Sequence, residues 1–254
     1  MHVIPIYRQD AGHSQARACA ACELRSTALF GVLDDEGLDR IHTQIASITL
    51  SADSMVFERG TAGLAVFTIR EGLVRFERSN EHGDRRIVRI AGPGDLIGLE
   101  ALLQGPYADD AVACTELHLC RIPSTLVHQL SQGQHALPRE LMQRWQRALD
   151  ASESWVSELS TGPARRRILH LLVRLGAYAD AHHTIWLPRR EDIGAMLDMT
   201  FETASRLVSA LRREGILTLG PGRSAVLDPE SLQLALLADG SAYAARVNRQ
   251  VPAP

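Results

Sequence analysis

The pattern of apolar and polar positions changes period along the chain. Between about Leu33 and Pro123, short β-prone runs such as Val66-Phe67-Thr68-Ile69, Leu73-Val74-Arg75-Phe76 and Arg86-Ile87-Val88-Arg89-Ile90 are cut by Gly60, Gly63, Gly72, Gly83, Gly92, Gly94, Gly98 and Gly105. Short strands between turn residues predict a sandwich or barrel. Leu137 to Leu159 then reads as one helix, with Leu141, Trp145, Ala148, Ser152, Trp155 and Leu159 spaced 4, 3, 4, 3, 4. That spacing is the a/d seam of a two-stranded coiled coil and predicts a long dimerisation helix. The alternative lays the same stripe on the chain's own β-rich part, with the tryptophans as core.

Gly162-Pro163 ends that helix and marks a hinge, and Ala164 to Ala179 predicts the next helix. Ile185-Trp186-Leu187 gives a short strand before Pro188. Ile193, Met196 and Leu197 make one helical face, and Ala204, Leu207, Val208 and Leu211 make a second at i, i+3, i+4, i+7. Between them Asp198-Met199-Thr200 suffices only for a tight turn, with Thr200 placed as the N-cap of the second helix. This is helix-turn-helix spacing. Ile216 to Leu219, Gly220-Pro221-Gly222-Arg223 and Ser224 to Leu227 then read as a hairpin, a wing. Pro229 to Ala238 predicts a last helix. The expected organisation is therefore α+β: an N-terminal segment 1–30, a β domain 31–135, the long helix 136–161, a winged helix-turn-helix 162–238 and a loose tail 239–254.

On the second of the paired helices Glu202, Ser205 and Arg206 fall at i, i+3 and i+4, opposite the apolar stripe. An Arg fork suits guanine O6 and N7, Glu accepts from cytosine N4, and Ser serves either way, so the trio suits base edges in a major groove. An ordinary amphipathic helix with one Glu/Arg pair would look the same in isolation. Charge separates the two readings. Residues 162 to 227 hold ten arginines against six acids, a net of +4, on a chain whose total is −3. A basic C-terminal domain on an acidic chain is the footprint of a nucleic-acid binder joined to something else.

At 254 residues with 45% hydrophobic and 22% charged composition, the chain is long enough for two domains. All 27 basic residues are arginine. No apolar run reaches the length of a membrane span, and Met1 to Asp10 lacks the layout of a secretory signal, so a cytoplasmic protein without a membrane partner is expected. Nucleophile elbow, phosphate loop and metallohydrolase motifs are missing from the sequence, which weighs against the competing class, a small-molecule-binding or redox enzyme without DNA function.

The run from Asp192 to Leu207, D-I-G-A-M-L-D-M-T-F-E-T-A-S-R-L, resembles the D-I-G-x-x-L-G-x-T-x-E-T-x-S-R-L signature of the CRP/FNR family of bacterial transcription regulators, in its FNR branch. The family usually has Gly where this chain has Asp198, a residue that also tolerates positive φ. The segments I-R-E-G-L-V-R-F and G-D-L-I-G-L-E resemble the family's β-roll, a cupin-like domain of the cyclic-nucleotide-binding type. The resemblance implies a homodimer on double-stranded DNA that recognises an inverted repeat of TTGAT-like half-sites. Glu202, Ser205 and Arg206 would read bases, Thr200, Thr203, Arg189, Arg212 and Arg223 would hold the backbone, and RNA polymerase would be a partner of an activator. It also aligns Ser152 with an acidic residue that keeps oxygen-responsive relatives monomeric, implying dimerisation less dependent on an effector.

Two effectors follow from the resemblance. Oxygen-sensing members hold a [4Fe–4S] cluster on three N-terminal cysteines and one from the β-roll; Cys19, Cys22 and Cys120 match, Ala28 stands near the third position, and His13 is a candidate for the open ligand. By itself Cys19-Ala20-Ala21-Cys22 serves equally as half a zinc site, a redox dithiol or no site at all, and Cys114 is expected on a neighbouring strand. Members that bind cyclic AMP carry Arg-Ser where this chain places Asp109-Asp110, expected as an exposed loop. Carboxylates beside a phosphodiester repel it, which argues against cyclic AMP and leaves redox or another small effector.

Overall fold

The computed structural model describes residues 44–133 and 136–250, which form two compact units that divide after Ala151. In the first, the strands are β1 (Ala46–Leu50), β2 (Met55–Phe57), β3 (Ala65–Glu71), β4 (Val74–Ser79), β5 (Arg85–Ala91), β6 (Leu96–Ile97), β7 (Asp110–Ala113) and β8 (Leu117–Pro123). They pair antiparallel as two four-stranded sheets, ordered β1-β8-β3-β6 and β2-β7-β4-β5. Ile48, Val66, Ile69 and Leu119 of one sheet share a core with Val56, Val74, Phe76 and Ala111 of the other, so the sheets face each other. The strand-rich run between glycines thus becomes a double sheet, as its spacing predicts.

The interior is filled by the chain's own rings. Phe57 stacks on Tyr107 with centroids 4.0 Å apart and on Phe67 at 5.8 Å, and the Tyr107 hydroxyl donates to the Ala65 carbonyl at 2.8 Å. Gly98, at φ 73°, opens the 3-10 helix Leu99–Leu103, and a Cβ there would stand 3.0 Å from the Tyr107 ring. The expected exposed loop at Asp109-Asp110 is corrected: Asp109 is ion-paired with Arg78, and Asp110 opens β7 and accepts from the Arg59 backbone N–H at 2.7 Å.

Helix α1 (Ser124–Gly133) lies on β3 and β8, and α2 (Ala136–Leu159) follows. Leu137 is part of the sheet core, with Leu141 and Ala148 packed against it. Arg144 is buried, donating to the Gly94 carbonyl at 2.8 Å and to Glu140 at 2.8 Å. Trp155 and Leu159 are buried too. Four of the six residues expected at a coiled-coil seam, Leu141, Ala148, Trp155 and Leu159, are thus engaged within the chain. Trp145 of that seam is exposed, as are the apolar residues Met142 (73% exposed), Leu149 and Val156 beside it.

In the second unit α3 (Ala164–Gly176) buries Ile168, Leu169, Leu171, Leu172 and Leu175. Strand β9 (Thr184–Trp186), α4 (Arg190–Leu197) and α5 (Phe201–Arg213) follow, then β10 (Leu217–Leu219), β11 (Ser224–Leu227) and α6 (Pro229–Gln250). The wing hairpin and the short strand expected apart from it form one sheet, β10-β11-β9. The last helix does not stop at Ala238 as expected. It continues to Gln250 through most of the supposed tail, because Gly240 is tolerated inside a helix that already has turns on either side. Among the described residues no helix is long and apolar enough to cross a membrane.

One carboxyl of the first unit makes its stability depend on pH. Partial desolvation raises the Asp95 carboxyl above its ordinary value, against the lowering effects of the Gly92 backbone N–H and of Arg89, Arg144 and Arg147. The folded state therefore holds this proton more tightly than the unfolded chain, so its contribution to stability falls as pH rises through the carboxylate range. Asp95→Asn keeps an acceptor for Gly92, whose N–H donates to Asp95 at 2.9 Å. At neutral pH its thermal midpoint is expected slightly above that of the parent, the gain limited by solvent screening and vanishing at acid pH. A midpoint lowered at neutral pH would contradict this.

Candidate nucleic-acid interface

The paired helices α4 and α5 owe their arrangement to the turn between them. Asp198 closes α4 in the left-handed region, at φ 54° and ψ 57°, which an acidic short side chain tolerates. Met199 N–H donates back to the Gly194 carbonyl at 3.3 Å. A Cβ on Gly194 would stand 2.6 Å from the Met199 carbonyl oxygen, so this approach of two backbones requires glycine. Thr200 then caps α5, its hydroxyl oxygen accepting from Thr203 N–H at 3.3 Å. From beneath, the Arg167 guanidinium of α3 donates to the Leu197 carbonyl and, at 3.3 Å, to that of Asp198, satisfying carbonyls left open at the end of α4.

Ala204, Val208 and Leu211 are buried, as are Ile193, Met196 and Leu197, so each helix spends its apolar stripe inside the unit. Glu202 and Arg206 are exposed and Ser205 half-buried at the first turns of α5, which brings the three expected base-reading residues onto accessible surface. The Glu202 carboxyl is held below its ordinary value by its own backbone N–H and the Thr200 hydroxyl, so it is ionised at neutral pH. Thr200 is exposed and Thr203 half-buried at the same helix end. Arg189 is exposed just before α4, Arg212 is exposed in the last turn of α5, and Arg223 is half-buried between Gly222 and β11.

Sequence reasoning missed the roles of several neighbours. The arginine run at the start of α3 reads as a phosphate surface or a solvated one. Instead Arg167 holds the turn, and Arg165 forms a two-pronged ion pair with Glu214 just past α5, at 2.9 and 2.6 Å. Asp192 is buried in the first turn of α4, where a carboxylate favours the helix dipole. Phe201, by spacing a continuation of the buried stripe, is exposed. Among the cysteines, Cys19 and Cys22, with Ala28 and His13, lie outside the described residues. Cys120 is half-buried on β8 and Cys114 fully buried. Among the described residues no group of three or more His, Cys, Asp or Glu is placed to hold a metal ion.

Both units match known domains. Residues 47–134 match the cyclic nucleotide-binding domain, and residues 166–235 match the Crp-like helix-turn-helix domain. The chain belongs to the CRP/FNR family of transcription regulators. It is 26% identical to the nitrogen fixation regulation protein FixK of Bradyrhizobium diazoefficiens over 220 residues, covering 85% of this chain and 92% of that one. It is also 26% identical to the transcriptional activator protein Anr of Pseudomonas aeruginosa over 231 residues, covering 87% and 93%. In fold it is similar to FixK2 from Bradyrhizobium japonicum, with a TM-score of 0.67 at 23% identity over 75% of this chain and 96% of that chain. The regulator is thus a DNA-binding protein rather than the enzyme weighed as its competitor, and the β-roll with a winged helix-turn-helix expected from the resemblance is its fold.

Past Gly98-Leu99-Glu100 the chain presents Tyr107, stacked into the core, and then the carboxylates of Asp109, ion-paired with Arg78, and Asp110, which accepts from the Arg59 backbone N–H.

In the DNA-binding unit the turn is the most sensitive element. Gly194→Ala is expected to lower stability by on the order of 2–3 kcal/mol through overpacking against the Met199 carbonyl, read as a drop in thermal midpoint with a parallel loss of DNA binding. An unchanged midpoint would mean the turn relaxes freely.

Proposed function

We propose that the regulator binds an inverted repeat of TTGAT-like half-sites as a homodimer, with Glu202, Ser205 and Arg206 reading base edges and Thr200, Thr203, Arg189, Arg212 and Arg223 holding phosphates. The observation that carries this reading is that Glu202 and Arg206 are exposed, and Ser205 half-buried, on one face of a capped helix whose opposite stripe is buried. N-terminal residues of such a helix are the ones that meet bases when it enters a major groove. For its signal the proposal takes a redox-active or other small effector rather than cyclic AMP, supported by the carboxylates of Asp109 and Asp110 and by the ring-filled roll. A cluster on Cys19, Cys22 and Cys120 would supply one-electron redox chemistry to the roll. Of these, only Cys120 is among the described residues, and it is half-buried on β8.

A gel-shift titration at fixed salt tests both parts. Arg206→Ala should relax preference at one guanine of each half-site, costing about 1–3 kcal/mol there. A uniform loss over all sequences would remove the base-reading assignment. The same titration with cyclic AMP should leave affinity unchanged, and with anaerobically purified protein should follow its measured iron and sulfide content. Iron-free protein with full affinity would end the cluster reading.

Pairing of two copies is proposed along the solvent face of α2, through Met142, Trp145 and Leu149, with Ser152 and Val156 continuing the 3, 4, 3, 4 spacing. This face differs from the seam at Leu141, Ala148, Trp155 and Leu159, which packs inward. Twofold pairing suits two half-sites one turn of DNA apart, ~34 Å. Leu149→Glu should therefore shift the regulator to monomer in sedimentation while leaving its thermal midpoint nearly unchanged, whereas a variant that stays dimeric would place the pairing surface elsewhere.

A further inference from the structure

The first turn of α3 begins directly after Gly162-Pro163 and carries Arg165, Arg166 and Arg167 in succession. Arg165 and Arg167 stand two residues apart, so they leave α3 on nearly opposite sides. Arg167 grips the end of α4, and Arg165 reaches the end of α5. Its partner Glu214 is the C-cap of α5, where a carboxylate faces the negative end of the helix dipole and needs a cation beside it. Arg165 supplies that cation through two bonds, at 2.9 and 2.6 Å, which fix direction as well as distance because a planar guanidinium meets a carboxylate edge to edge. The Asp239 carboxylate of α6 also bears on Arg165, so a phosphate placed here would meet two acids.

Helix α5 is thereby held at both ends. Its first turn is fixed by the Asp198 reversal and the Thr200 cap, and its last by the tie to α3. With 13 residues it is about 20 Å long, so a hold at the first turn alone would leave its axis free to swing on the apolar stripe. We infer that Arg165 is a positioning residue for DNA recognition: through Glu214 it sets the direction in which α5 presents Glu202, Ser205 and Arg206, without touching DNA itself. The side chains of the pair are 34% and 41% exposed, so solvent screens the attraction and its share of global stability is small. Its effect is geometric. The inference rests on the reading of α5 as the base-reading helix.

Opposite charge changes separate positioning from direct contact. A preferred site is first selected from random duplexes with the full-length chain, and gel-shift titrations at one salt concentration compare that site with random-sequence DNA. Arg165→Gln removes a positive charge and Glu214→Gln a negative one, yet both break the tie. Each should lower affinity for the selected site by about three- to tenfold, the scale of coupling between groups in contact, and bind random-sequence DNA within about twofold of the parent. Thermal midpoints should move little. The exchange of Arg165→Glu with Glu214→Arg restores the tie at the parent's net charge and should recover most of the selected-site affinity. Single variants that shift affinity in opposite directions on both duplexes would overturn the inference, because that pattern marks a phosphate contact. So would an unchanged affinity for the selected site, or a midpoint and both affinities that fall together without recovery in the exchange, which marks a structural role alone. Should no preferred sequence be selected, base reading by α5 falls first, a result seen with the parent chain before any variant is made.

Discussion

Two backbones meeting at Gly194 and Met199 set the angle between the paired helices, and the DNA-facing surface is built outward from that meeting. A side chain at Gly194 would separate α4 from the turn. Asp198 must then take a left-handed conformation to reverse the chain, and Thr200 must stop that reversal by capping α5. The Arg167 guanidinium ties the end of α4 to α3, so carbonyls that would otherwise face outward are satisfied from within. Because the apolar stripes of both helices are spent on this arrangement, the polar residues of the first turns of α5 are left on the surface in a fixed orientation.

Long helix α2 carries apolar residues on two different faces. Leu137, Leu141 and Ala148 pack on the β-roll, with Arg144 satisfying a carbonyl at Gly94, and this leaves an outward row of Met142, Trp145 and Leu149. Exposed apolar residues at heptad spacing are costly on a monomer and ordinary at a pairing surface. The roll itself is filled by Phe57, Phe67 and Tyr107, and its acidic pair is engaged by Arg78 and by the Arg59 backbone. The domain keeps the architecture of the cyclic nucleotide-binding domain that its sequence matches.

Local pattern alone determined the strand-rich region, the long helix, the helix-turn-helix with its cap at Thr200, the wing, and the shared outer face of Glu202, Ser205 and Arg206. Each of these depends on interactions within a few residues: periodicity, a capping hydroxyl, turn chemistry. The tertiary structure alone decided which of two overlapping stripes on α2 faces inward, since Leu141 and Met142 are equally apolar and only the position of the roll distinguishes them. It decided that Arg165 and Arg167 hold other parts of their own unit, because their partners Glu214 and Asp198 are remote in sequence. It also turned Phe201 out to solvent although its spacing belongs to the core, because burial depends on whether another element covers the residue, and at the first turn of α5 its ring is left half open to water.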